Sequence, residues 1–120
     1  MNTRPVYPKR GEIWIVNFDP TVGAEIRKTR PAVVVSSDAV GRLPVKLIAP
    51  ITEWKQAYAQ SFWHVPIEPD NLTNLQKTSA VDTLQLRGMD IQRFVHRLGR
   101  VSSSTMEEIA AAIAMIIEYQ

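Results

Sequence analysis

One short segment of the chain gathers the residue types that handle phosphate. Between Gly23 and Pro31 stand one carboxylate, Glu25, and three cations, Arg27, Lys28 and Arg30. A guanidinium stays charged and offers a planar fork of donors that matches two phosphate oxygens at once. Arg30 directly precedes Pro31, and a residue before proline is held extended, which projects its side chain from the rim of the sheet that follows. A surface ion pair with Glu25 would use the same residues. Thr52 closes an apolar stretch after Pro50 and Ile51. Its hydroxyl can donate to a phosphate oxygen or satisfy a turn.

Other chemistries find little support. The chain has no cysteine, so disulfides, thiol nucleophiles and cysteine metal sites are excluded. His64 and His96 lack partner ligands at metal-site spacing, and neither a metal nor a cofactor is expected. His64 lies in Trp63-His64-Val65-Pro66 and His96 beside Arg97; both read as structural or surface residues rather than an acid–base pair. There is no glycine-rich phosphate loop and no nucleophile elbow. No apolar run approaches the ~18 residues of a membrane span, and no signal-peptide pattern opens the chain. A cytoplasmic protein without membrane contact is therefore expected.

A chain of 120 residues fits one domain over 1–120. Its composition, 45% hydrophobic and 22% charged, is that of a folded globule. So small a domain buries a modest core, and burial shared with a second copy would help it. The net charge of +2 leans only weakly towards a polyanionic partner. Arg93, Arg97 and Arg100 form a second basic group that can equally be a solvated face.

The elements that must position these residues read as strands. Residues 1–10 form a loose arm. A strand over Glu12 to Phe18 puts Ile13, Ile15 and Asn17 on one face and Trp14, Val16 and Phe18 on the other. Pro20 and Gly23 stop it. Asp19 to Pro31 is a long charged connection, and Ala32 to Ser36 is a strand buried on both faces. Val45 to Ile51, Phe62 to Ile67, Ser79 to Leu84 and Phe94 to Val101 supply further strands. Trp54 to Ser61 and Asn71 to Lys77 read as loops, and Gly88 to Arg93 as a short helical turn. A helix over 103–118 closes the chain. Ser104 and Glu107 form a capping-box pattern, and Met106, Ile109, Ala110, Ile113, Ile116 and Ile117 recur at helical spacing. That face packs on its own core, or in part on a second subunit. The fold class is mainly β with a C-terminal α-helix, a small bent antiparallel sheet or barrel.

In order and spacing, several segments resemble the MazF/PemK/Kid toxins. They are Arg10-Gly11-Glu12-Ile13-Trp14, Phe18-Asp19-Pro20-Thr21-Val22-Gly23-Ala24-Glu25, Lys28-Thr29-Arg30-Pro31-Ala32-Val33-Val34-Val35-Ser36, Ala49-Pro50-Ile51-Thr52, Phe62 to Pro66, and Arg97-Leu98-Gly99-Arg100-Val101-Ser102. The resemblance spans Arg10 to the C-terminal helix. It implies an SH3-like barrel of the MazF/PemK/CcdB kind and a two-fold homodimer. It also implies a sequence-selective, metal-independent endoribonuclease that cuts single-stranded mRNA through its 2′-OH, leaving a 2′,3′-cyclic phosphate and a 5′-OH. A MazE-like antitoxin would block it. The family's catalytic arginine and threonine fall on Arg30 and Thr52, and its acidic loop residue on Glu25, the candidate general base. Arg27, Lys28, Glu53, Trp54, Lys77 and Asp82 are the candidate RNA contacts, with Tyr58 and Trp63 as further stacking surfaces. The chain departs from the family at Glu53, where serine is common, at Asp82-Thr83-Leu84, where Asp-Gln-Ile is common, and at Trp63, which splits a Phe-His pair. Two other readings share the fold: a CcdB-like gyrase-inhibiting toxin, and an RNA-binding barrel whose catalysis Glu53 has weakened.

Overall fold

The computed structural model describes residues 7–119. In chain order its elements are β1 (Glu12–Asn17), β2 (Thr29–Val34), β3 (Val45–Glu53), β4 (His64–Ile67), β5 (Ser79–Asp82), β6 (Arg87–Asp90), β7 (Phe94–Arg100) and α1 (Ser103–Ile116). The strands form one antiparallel sheet in the order β4-β5-β3-β2-β1-β7, with β6 alongside the first half of β3. The sheet is bent but not closed, because β4 and β7 remain edges.

β3 is the hinge of this arrangement. Val45–Ile48 pairs with β6, Ile48–Pro50 with β2, and Ile51–Glu53 with β5. A strand that serves three partners must change direction along its length, and the sheet curls around it.

Alternation along β1 feeds two cores, as its pattern predicts. Ile13 joins Val33, Ala49, Ile51 and Val81 in one. Trp14, Val16 and Phe18 join Ala32, Val34, Ile48 and Met89 in the other. Ala32, Val33 and Val34 are fully buried, so the apolar run does occupy a strand covered on both faces. α1 lies over the first core, where Met106, Ile109 and Ala112 are buried. Each large apolar side chain so covered contributes about 1.5–3 kcal/mol relative to an exposed one.

Several expectations change in detail. β2 begins at Thr29, so Arg30 and Pro31 belong to the strand and not to the loop before it. β3 continues through Thr52 to Glu53. The fifth expected strand stops at Asp82 and passes into a 3-10 turn, Thr83–Gln85. Gly88 to Arg93 is strand β6 followed by a 3-10 turn over Ile91–Arg93. The helix cap is Ser102, whose hydroxyl accepts from the Thr105 N–H, rather than Ser104 with Glu107. Four consecutive hydroxyl residues stand there, and local pattern cannot choose among them. The helix ends where Glu118 turns left-handed at φ 57, with the Tyr119 N–H donating to the Ala114 carbonyl and the Glu118 N–H to that of Met115, a Schellman closure. Residues 1–6 of the expected arm lie outside the described residues. Residues 8–10 are docked rather than loose: Pro8 is buried, the Lys9 N–H donates to Glu12 and the Arg10 N–H to Asp38. Among the described residues, no helix is long and apolar enough to cross a membrane.

Candidate functional site

Where β2 and β3 part, a cleft of about 330 Å³ opens. Their ladder pairs Val34 with Ile48, Val33 with Ala49 and Ala32 with Pro50, and then stops. Pro31 and Pro50 flank that point, and neither has an N–H to offer the ladder. Carried two residues further, the register sets Arg30 opposite Thr52. β1 holds Arg30 from one side through its pairing with Val16, and β5 holds Thr52 from the other through Ala80. The two residues face a gap in which the strands no longer occupy each other.

Arg30 and Thr52 line this cleft together with Glu53, Gln76 and Lys77, over an apolar floor that includes Ile15 and Leu98. The Arg30 Nε–H donates to the Arg27 carbonyl at 2.9 Å. That bond fixes the guanidinium by one edge. Among the described residues its terminal amino groups and the Thr52 hydroxyl have no protein partner, and both side chains are half-buried. They are donors in want of an acceptor. At the mouth, Glu53 and Lys77 stand 3.7 Å apart and are about two-thirds exposed. An ion pair so exposed adds little stability, and either charge is available to a ligand.

The loop from Asp70 to Lys77 forms the far wall and is tightly knit. The Asp70 carboxylate accepts from the Leu72 and Thr73 N–H groups, each at 2.8 Å. The backbone bond from Thr73 is the main cause that lowers the Asp70 pKa from its ordinary value. Asn74, left-handed at φ 55, donates to the Leu98 carbonyl at 2.9 Å. Gly99 sits directly under the loop: a Cβ there would lie 2.4 Å from the Leu72 oxygen.

Of the expected site residues, Arg30, Thr52, Glu53 and Lys77 are brought together. Glu25 is not. Its carboxylate accepts from the Val22 N–H at 2.7 Å inside its own loop, and it borders a separate groove beside Leu84 to Arg87. Arg27 and Lys28 are exposed on the same β1–β2 loop. Trp54 follows β3, half-buried, with its ring edge-on to Tyr58 at 5.9 Å. Asp82 is buried at the opposite end of β5 from the cleft, its Oδ2 3.5 Å from the His64 Nε2. Tyr58 stacks on His64 at 3.7 Å, and Trp63 packs edge-on against Phe62. These aromatic rings are engaged in loop packing. The basic residues near the chain's end are likewise used: Arg97 pairs with Glu12 at 3.0 Å, and Arg93 donates to the Asn17 and Asp19 carbonyls. A larger depression of about 590 Å³ lies beside the start of α1, but its bases Lys9, Arg10, Arg97 and Arg100 are interleaved with the acids Glu12, Asp38 and Glu107, and Arg97 is already paired with Glu12.

Sequence reasoning missed Gln76, Asn74 and Gly99. Asn-Leu-Gln-Lys reads only as a turn, and nothing local announces that its wall leans on β7 some two dozen residues later.

Comparison with known proteins places these features in context. The family described as the PemK-like, MazF-like toxin of type II toxin–antitoxin systems matches residues 9–117. The endoribonuclease PemK of Escherichia coli is 33% identical over 113 residues, covering 91% of this chain and 81% of its own. The endoribonuclease MazF9 of Mycobacterium tuberculosis is 28% identical, covering 92% of this chain and 96% of its own. The crystal structure of MazF from Deinococcus radiodurans superposes with a TM-score of 0.78 at 23% identity, over 92% of this chain and 96% of that one. The same fold also occurs in an endoribonuclease in complex with its cognate antitoxin from a mycobacterial species, with a TM-score of 0.75 at 17% identity, over 95% of this chain and 98% of that one.

Proposed function

The chain belongs to the PemK-like, MazF-like toxins of type II toxin–antitoxin systems, and from that premise we propose that it is an mRNA-cleaving endoribonuclease whose reaction takes place in the Arg30–Thr52 cleft. The observation that carries the site is the pair of unpartnered donors set face to face where the β2–β3 ladder opens.

The substrate is single-stranded RNA. The 2′-oxygen attacks the adjacent phosphorus, the P–O5′ bond breaks, and the products are a 2′,3′-cyclic phosphate and a 5′-OH. Negative charge grows on the non-bridging oxygens as attack proceeds. The terminal amino groups of Arg30 stabilise that charge, with the Thr52 hydroxyl as second donor; both are fixed beforehand by the sheet, so little reorganisation opposes them. The need for a 2′-OH restricts the reaction to RNA.

Proton removal is assigned by place. Glu53 lines the cleft and Glu25 does not, so Glu53 is the nearer acceptor for the 2′-OH proton, directly or through one water, and the departing 5′-oxygen takes a proton from solvent water to leave as the 5′-OH. Lys77 beside it attracts the neighbouring phosphate. Arg27 and Lys28 extend the basic rim along the loop. The chain works in the cytoplasm as a homodimer, held in check by a MazE-like antitoxin, as the MazE–MazF complexes of Deinococcus radiodurans illustrate for that protein.

The test is direct. Purified protein is incubated with a long mixed-sequence RNA in EDTA and the product ends are mapped. Discrete cleavage with 5′-OH ends, abolished by Arg30→Ala, supports the reading. Cleavage that survives Arg30→Ala sinks the site.

A further inference from the structure

We propose that Gln85 is a positioning residue for the cleavage reaction: its carboxamide fastens the β1–β2 loop so that the loop's Arg27 carbonyl can hold the Arg30 guanidinium. The inference deepens the function proposed above and rests on it.

Gln85 ends the 3-10 turn that follows β5, and that turn is a fixed post. Thr83 is 2% exposed, and both its N–H (3.0 Å) and its hydroxyl (2.7 Å) donate to the Trp63 carbonyl. From this post Gln85 reaches a loop far earlier in the chain. Its Oε1 accepts from the Ile26 N–H at 2.6 Å, and its Nε2 donates to the Ala24 carbonyl and to the Asp82 Oδ2, each at 3.4 Å. Acceptor on one arm and donor on the other is the signature of a carboxamide. Glutamate in its place would lose both donations and set a second negative charge beside buried Asp82.

The loop has little else to hold it there. Val22 to Glu25 is exposed, and its bonds between Val22 and Glu25 are internal. The ties from Arg93 and from the Lys28 N–H to Asp19 lie at its base. Among the described residues, Gln85 makes the side-chain bonds that anchor Ala24 and Ile26 to the body of the fold. Arg27 follows Ile26 directly, and its carbonyl accepts the Arg30 Nε–H. A continuous chain of contacts thus runs from the Thr83 post through Gln85, Ile26 and Arg27 to Arg30. Gln85 itself borders the groove with Glu25, outside the cleft. Its influence passes through the loop and not through contact with substrate.

The experiment compares Gln85→Met, which keeps length and packing but makes none of these bonds, with Gln85→Asn, which is one methylene too short to reach both ends. Each is made in the native protein and in Arg30→Lys, whose side chain has no Nε–H to give Arg27. Single-site oligoribonucleotide cleavage is measured with amide hydrogen exchange. The expected result is a wild-type far-UV spectrum, faster exchange at Ile26, and a roughly tenfold lower kcat with KM changed less than about twofold. In Arg30→Lys the same changes alter kcat by less than about twofold, because the link is already cut. An unchanged kcat, a loss confined to KM, or an equal loss in both backgrounds overturns the proposal. Wild-type protein that cleaves no RNA overturns the function itself, which is a distinct result because it appears before any variant is made.

Discussion

Replacing Gly99 by alanine tests whether the far wall of the cleft is held by backbone contact. The added Cβ would stand 2.4 Å from the Leu72 oxygen and 2.5 Å from the Thr73 oxygen. Ordinary contact begins near 3.4 Å, so the loop must retreat by roughly an ångström. Neither oxygen can swing away as a side-chain tip would, because Asp70, Asn74 and the Arg100 N–H already pin that backbone. Overpacking of this kind costs about 1–3 kcal/mol. The bonds from Arg100 to Leu72 and from Asn74 to Leu98 are then stretched, at about 1 kcal/mol each. The expected loss is therefore about 3–5 kcal/mol. Urea unfolding followed by tryptophan fluorescence reads it as a midpoint lowered by about 1.5–2.5 M, for a slope of about 2 kcal/mol per molar. Gln76 and Lys77 withdraw with the wall, so kcat/KM falls even where the variant is fully folded. A midpoint within about 0.3 M of wild type, with undiminished cleavage, would refute the reasoning.

Three further outcomes are expected. Glu53→Gln lowers kcat roughly a hundredfold, while Glu25→Gln leaves kcat near wild type; the reverse pattern would return the proton-transfer role to Glu25. If Arg30 and Lys77 each neutralise one phosphate, RNA affinity measured by filter binding falls about sevenfold between 50 and 200 mM salt, from a slope of about −0.7 per contact; a flat response would remove both residues from the phosphate path. The Asp70 pKa is lowered in the fold, so its contribution to the loop is complete above the ordinary value of 3.8 and is lost as pH falls through the lower folded value. Exchange protection at the Leu72 and Thr73 amides persists at that ordinary value and fades below it, and Asp70→Asn abolishes the dependence.

The strands were legible because burial leaves a period in the sequence. Ile13 against Trp14, and the run Ala32-Val33-Val34, announce their faces directly. Arg30 and Thr52 were legible as candidates through residue type and through the family pattern. Their opposition was not, because it depends on a ladder that stops between two prolines. Glu25 shows the converse. It is five residues from Arg30 in sequence, yet the loop turns its carboxylate back onto Val22, and sequence proximity carries no information about that turn. The roles of Gln85 and Gly99 are long-range, from 3-10 turn to β1–β2 loop and from β7 to the 70–77 wall. Local propensity says nothing about either.

The geometry of Arg30 and Thr52 is enforced by residues that do no chemistry. Their opposition follows from the register Ala32–Pro50, Val33–Ala49 and Val34–Ile48. A slip of one residue would turn every side chain of β2 to the other face, removing Val33 from the core beneath α1 and Ala32 and Val34 from the core around Trp14. Ala32, Val33, Val34, Ile48 and Ala49 are all fully buried, so both cores oppose the slip. Arg30 and Thr52 lie beyond the stretch paired between β2 and β3, and their half-buried side chains make no bond that the backbone ladders to β1 and β5 need. Substituting either should leave the register and the cores intact. Loss of cleavage in Arg30→Ala or in Thr52→Val, with an unfolding midpoint near wild type, would therefore report on the chemistry of the cleft, whereas a large fall in that midpoint would show that the pair helps to hold the split it lines.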